Sequence, residues 1–214
     1  MSAESGISTF RDSGGLWEEY DVMKVAHINS WQENKSLMLR FYNERRQQLA
    51  SVKPNKGHML LAGLEDFFKV TIITQNVDNL HERAGSSKVI HLHGELTKAC
   101  SSIDKSHITD IGYADIKDGD KADDGSQLRP FIVWFGEAVP EIDTATKIVS
   151  KADILVIIGT SMQVYPAAGL IHCAPPSTPI YLIDPSDVNA PPSVKVIKEK
   201  ASKGLEILIK KSII

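Results

Sequence analysis

The chain has 214 residues, with 24 Lys and Arg against 27 Asp and Glu, a formal net charge of -3 and a hydrophobic share of 42%. This charge balance argues against nucleic acid as a main partner, and no apolar run approaches the roughly 20 residues of a membrane-spanning helix. Cys100 and Cys173 are too few for a disulfide framework or a four-cysteine zinc site; with no secretory signal at the N-terminus, the expected setting is the cytoplasm.

In chain order, residues 30–66 read as mostly helical, interrupted at Pro54. "KVTIITQN" (69–76) is a β-branched apolar run ending in polar residues, and "SKVIHLHG" (87–94) is a second strand candidate. Residues 97–128 are polar, rich in Asp, Ser, Lys and Gly, and cannot build a core of their own. "RPFIVWFG" (129–136) reads as a strand, "PEIDTATKIVSKA" (140–152) as an amphipathic helix and "ADILVIIGTS" (152–161) as a buried strand. A helix at "YPAAGLIHCA" (165–174), a strand at "TPIYLIDPS" (178–186) and a terminal helix at "KGLEILIKK" (203–211) follow. Alternating strands and helices predict an α/β, Rossmann-like, doubly wound parallel sheet. Residues 30–66 and 97–128 break the rhythm and are expected to form a small inserted lobe. The large domain then takes residues 1–29, 67–96 and 129–214.

In such folds the ligand sits beyond the carboxyl ends of the strands. "TQNVDNLHERAG" (74–85) places Gln75, Asn76 and Asp78 there, suited to a ribose and a carboxamide. The same residues also suit a polar loop that caps the next helix. "GTSMQVYPAAG" (159–169) puts Gly159, Thr160 and Ser161 in a turn whose backbone N–H groups could meet a phosphate.

Together with "SAESGISTFRD" (2–12), "HLHGEL" (91–96), "RPFIVWFGE" (129–137) and "LIDP" (182–185), these motifs run in the order found in the sirtuins. The sequence resembles that family along essentially its whole length. The resemblance implies an NAD-dependent protein deacylase with NAD as co-substrate and acyl-lysine proteins or peptides as partners. It implies a catalytic His93, which takes a proton from a ribose hydroxyl after the acyl oxygen has displaced nicotinamide. For the cofactor it implies Phe10 and Arg11 in a covering loop, Gln75 and Asn76 on the ribose, Asp78 on the carboxamide, Gly159, Thr160 and Ser161 at the phosphate turn, and Asp184 at the adenine ribose. The family usually has Asn at this last position. It implies that Val133, Trp134, Phe135, Gly136 and Glu137 form a strand pairing with the substrate backbone. His91 receives no role. A monomer is expected.

Tyr42 and Arg45, at i and i+3, share a helix face and resemble the Tyr-x-x-Arg of the branch that removes succinyl, malonyl and glutaryl groups. A guanidinium fork and a phenol suit an acyl carboxylate. The plainer reading is a solvated helix with surface arginines.

Two departures from the family carry expectations. The first strand and Gly-Ala-Gly turn of the pattern precede the residue matching Met1 and are missing from this sequence, so a slot in the sheet and weaker NAD binding are expected. Of the four zinc cysteines only Cys100 is matched. Zinc is therefore not expected, and a mixed site of Cys100, Asp104 and His107 is the remaining alternative. Two other functions stay open: a catalytically impaired NAD- or ADP-ribose-binding module, and a mono-ADP-ribosyltransferase.

Overall fold

The computed structural model describes residues 1–8, 20–160 and 164–213. Its helices are α1 (Val22–Val25), α2 (Trp31–Ser51), α3 (Lys56–Gly63), α4 (Leu80–Ala84), α5 (Ile142–Val149) and α6 (Ala201–Leu208). Its strands are β1 (Ile72–Thr74), β2 (Val89–His91), β3 (Gly94–Ser101), β4 (Ile108–Asp110), β5 (Leu128–Ile132), β6 (Leu155–Ile158), β7 (Ile180–Ile183) and β8 (Val194–Ile197).

The parallel layer comes in two pieces. β1 pairs with β2, and β6, β7 and β8 pair in that order, all in parallel. Leu182 and Ile183 of β7 are fully buried, as expected of a central parallel strand, and Leu205 and Leu208 of α6 share the core with Ile183. The facing edges of β1 and β6 do not pair. Between them runs a cleft of about 830 Å³ lined by Ile72, Thr74, Val156 and Ile158, among others. Met1 lies at its polar end, where the Gln75 side-chain amide donates to the Thr160 hydroxyl at 3.4 Å.

A second, antiparallel sheet has the order β4-β3-β5. Its core is shared with α2, through Met38, Phe41, Tyr42 and Leu49 on the helix and Leu96, Ala99, Ile116 and Ile132 from the sheet side. Residues 97–128 thus contribute Ala99 of β3 and Ile116 to a joint core rather than forming one alone, while β4 lies exposed at the sheet edge. β8 and most of β3 lie outside the strands read from the sequence, because their apolar runs are short or mixed with Lys and Thr. Residues 165–174 form a 3-10 segment (Ala167–Cys173) instead of an α-helix.

The helical insertion divides at Pro54. α2 packs with the antiparallel sheet, whereas Leu61 of α3 packs with Ile72, Tyr181 and Leu205 of the parallel layer, and Lys56 pairs with Glu206 of α6. The expected lobe boundary at residue 66 therefore moves back to the turn at Pro54. There Asn55 and His58 form a reciprocal capping box that starts a separate helix.

Candidate active site

β2 ends at His91, and a two-residue turn carries His93 before β3 begins at Gly94. Gly94 has φ +80°, and a Cβ there would stand 2.0 Å from the carbonyl oxygen of Phe131. Only glycine lets β3 start beside β5 at this point. The close approach holds His93 at the junction of the two sheets.

His93 Nδ1 lies 3.0 Å from the carbonyl oxygen of Gln75. A carbonyl can only accept, so Nδ1 carries the proton and Nε2 holds a free lone pair. Burial holds the His93 pKa below its ordinary value, with the Gln75 carbonyl opposing the shift. The ring is thus set as a neutral base. Its own carbonyl accepts from Val133 N at 2.9 Å.

Gln75 and Asn76 leave the carboxyl end of β1. Asn76 donates through Nδ2 to Ser2 Oγ at 3.0 Å, and its backbone N donates to Thr74 Oγ1 at 3.0 Å. Asp78 is buried, and one carboxylate oxygen accepts from Leu80 N at 3.1 Å at the start of α4. The helix-capping reading of Asp78 thus holds, in the loop that follows β1. At the end of β6, Gly159 N donates to Ile183 O at 2.9 Å, which sets it beside Asp184 at the end of β7. Asp184 is buried, and one of its oxygens accepts from Ser186 N at 2.8 Å. Gln75, Gly159, Thr160 and Asp184 therefore occupy the carboxyl ends of three parallel strands, where the fold places its ligands. Phe10, Arg11 and Ser161 lie outside the described residues.

Tyr42 and Arg45 sit on the inward face of α2, in a row with Met38 and Leu49, and both are buried. This overturns the reading of a solvated arginine face. Burial lowers the Arg45 pKa to about 10, while the charges of Tyr42 and Asp78 act to raise it. Arg45 thus joins α2 electrostatically to the Asp78 loop. Burial pushes the Tyr42 phenol up, and Arg45 works against that shift.

Residues 133–137 are not the expected strand. β5 stops at Ile132, and the chain turns at Gly136, where φ is +86°. Phe135 N donates to Ala26 O at 2.8 Å and Phe135 O accepts from Ile28 N at 3.0 Å. Trp134 N donates to Glu137 Oε2 at 2.8 Å, and Trp134 O accepts from Glu137 N at 3.0 Å. The backbone of Phe135 is thus occupied from within the chain.

Several residues missed in the sequence matter here. His91 Nδ1 donates to Asn76 O at 3.3 Å, and Nε2 lies 2.7 Å from Glu82 Oε1. Burial opposes a charge on His91, but Glu82 outweighs it and raises the pKa. His91 is a clamp on the Gln75–Asn76 loop. Its signal in the sequence is its i, i+2 spacing to His93. Arg129, 2% exposed, holds both oxygens of Glu137 at 2.9 and 3.1 Å.

The residues present do not fit a zinc site in the small lobe. Cys100 is buried in β3, and burial pushes its thiol pKa up, away from the thiolate a metal needs. Asp104 is exposed and accepts from Ser106 N, and no metal-like grouping of Cys100, Asp104 and His107 forms. Ser101 Oγ and Ser126 N instead donate to the Asp124 carboxylate at 2.5 and 2.9 Å. Among the described residues, Glu82, His91 and Glu95 alone converge as metal ligands would, and they are already engaged, Glu82 with His91 and Glu95 with Lys98.

The profile of the Sir2 family matches residues 1–166. A protein from Bacteroides thetaiotaomicron named NAD-dependent protein deacylase is 60% identical over 97% of this chain and 92% of its own length. A protein of the same name from Helicobacter pylori is 52% identical over 100% of this chain and 93% of its own length. Among solved structures, a Sir2 homologue in complex with ADP-ribose superposes with a TM-score of 0.90 at 35% identity, over 98% of this chain and 86% of that one. A Sir2 homologue in complex with NAD gives 0.87 at 35% identity, over 98% and 84%.

Proposed function

This chain belongs to the Sir2 family, and from that premise we propose that its preferred substrates are protein lysines whose acyl group ends in a carboxylate, succinyl and malonyl among them. The chain is an NAD-dependent protein-lysine deacylase with NAD as co-substrate. The donor set suits that co-substrate: amide and hydroxyl groups of Gln75, Asn76 and Thr160 and the carboxylates of Asp78 and Asp184 stand at the carboxyl ends of β1, β6 and β7.

Bound NAD supplies a ribose carbon that the acyl oxygen can attack as nicotinamide leaves. His93 Nε2 then accepts a proton from a ribose hydroxyl, and the Gln75 carbonyl on Nδ1 keeps the ring in the tautomer that can do so. Asp78 holds the carboxamide through the oxygen not used by Leu80 N, and Asp184 accepts from the adenine ribose. Removal of nicotinamide and transfer of the acyl group to ADP-ribose place the reaction among group transfers.

The observation that carries the acyl preference is the burial of Tyr42 and Arg45 on one face of α2 beside Asp78. A carboxylate on an acyl chain entering beside these two groups would meet a guanidinium suited to bidentate pairing and a phenol as a further donor. The test compares succinyl-lysine and acetyl-lysine forms of one peptide, with NAD, by nicotinamide release. We expect kcat/KM to favour the succinyl form, and Arg45→Met to collapse that ratio at least tenfold. A wild-type preference for acetyl-lysine would sink the proposal.

A second reading, an NAD- or ADP-ribose-binding module, draws on the donor and acceptor groups of Gln75, Asn76 and Asp184 at the strand ends, which suit binding whether or not turnover follows. Its signature is calorimetric binding of ADP-ribose without nicotinamide release from NAD. For the cellular setting we propose the cytoplasm, which suits a buried free Cys100.

A further inference from the structure

We propose that Trp134 is a positioning residue for acyl-group selection: its indole N–H occupies the Tyr42 oxygen, so that the phenol proton is presented to the acyl carboxylate. The proposal rests on the acyl preference given above and deepens it.

Trp134 Nε1 lies 3.0 Å from the Tyr42 hydroxyl oxygen, and both groups are buried. An indole N–H can only donate, so the direction of this bond is fixed and Tyr42 is the acceptor. A phenol that accepts in this way turns its own proton elsewhere. Among the described residues that proton has no acceptor. A carboxylate arriving beside Arg45 would accept it, and the phenol would complete the charge-assisted set that the guanidinium begins. Without the indole, the hydroxyl is free to rotate and loses its preset direction.

The tryptophan is itself fixed. The Arg129 guanidinium stacks over its ring at 3.4 Å, and Trp31 packs on it with ring centroids 5.3 Å apart. Arg129 is bound to Glu137, which also accepts from the Trp134 backbone N. Lys105, from residues 97–128, reaches the same carboxylate at 2.6 Å. A line of contacts therefore runs from Lys105 through Glu137, Arg129 and Trp134 to Tyr42. Residues 97–128 are tied in this way to Tyr42 and the acyl pocket.

The test measures kcat/KM for succinyl- and acetyl-lysine peptides in the wild type, Trp134→Phe, Tyr42→Phe and the double variant. We expect Trp134→Phe to lower the succinyl value about tenfold and the acetyl value far less. In the Tyr42→Phe background it should add little further loss of the succinyl preference, because the phenol it acts through is gone. A merely structural tryptophan would lower both substrates alike and additively. Benzothienylalanine at position 134 keeps the ring shape without the N–H, and it replaces the Phe variant if that fails to fold. An unchanged succinyl-to-acetyl ratio on loss of the N–H, with Tyr42→Phe and Arg45→Met both reducing it, overturns the role of Trp134 alone. A wild type with no succinyl preference overturns the underlying reading and the inference with it.

Discussion

His93 illustrates how a single side chain is tuned by what surrounds it. The Gln75 carbonyl fixes its tautomer, and burial lowers its pKa below 6.5. A base with a lowered pKa stays unprotonated to more acid pH, so the acid limb of kcat/KM should fall below pH 6.5. His93→Ala should abolish deacylation, and an acid limb at or above pH 6.5 in the wild type would contradict the assignment. His93 was legible in the sequence as a candidate base because the flanking "HLHG" resembles a family pattern. The role of His91 was not, since its partners Glu82 and Asn76 lie 9 and 15 residues away and meet it only through the fold. The inward orientation of Tyr42 and Arg45 was equally hidden: helical spacing puts two residues on one face without saying whether that face is wet.

At the scale of elements, α3 carries a pH-dependent cap. Asn55 N donates to His58 Nδ1 at 3.2 Å, and His58 is fully buried with its ring 4.8 Å from that of His81. Burial, aided by repulsion from His81, lowers its pKa from 6.5 to about 3. The unfolded chain binds a proton that the folded chain refuses. The resulting stability is complete above pH 6.5, and its loss proceeds as the pH falls toward about 3. The slope from this one group is at most about 1.4 kcal/mol per pH unit. His58→Gln keeps an acceptor for Asn55 N, as in the usual capping box, and removes the titration. Urea unfolding of this variant between pH 4 and 6.5 should show a flatter pH dependence than the wild type; equal slopes would refute the linkage. Pro54 and Asn55 announced the start of this helix in the sequence. That α3 belongs to the parallel layer was not announced, because Leu61 meets Ile72 and Leu205 only in the folded chain.

For the whole molecule, groups from separate elements converge on Glu137 and tie residues 97–128 to β5. The Glu137 side chain is 8% exposed and binds Arg129 and Lys105 together. Glu137→Gln leaves Arg129 as an uncompensated buried charge, a change that typically costs about 3–5 kcal/mol. Chemical denaturation should register that loss, whereas dialysis of the wild type against EDTA should leave its melting temperature unchanged. A fall in melting temperature with EDTA, or stoichiometric zinc in the purified protein, would show that a metal carries the lobe.

The sequence by itself determined the α/β class and the placement of Gln75, Asn76, Asp78, Gly159 and Asp184 at strand ends. Both depend on local order: an apolar run, the residue that ends it, and the spacing of neighbours. Its resemblance to the family singled out His93 as the candidate base. The tertiary structure alone decided that Tyr42 accepts from Trp134, that the Phe135 backbone is already bonded, and that Arg129 and Lys105 converge on Glu137. These are meetings of residues distant in the chain or choices between equivalent bonding partners. Burial and competition for hydrogen bonds settle them only once the sheets have formed.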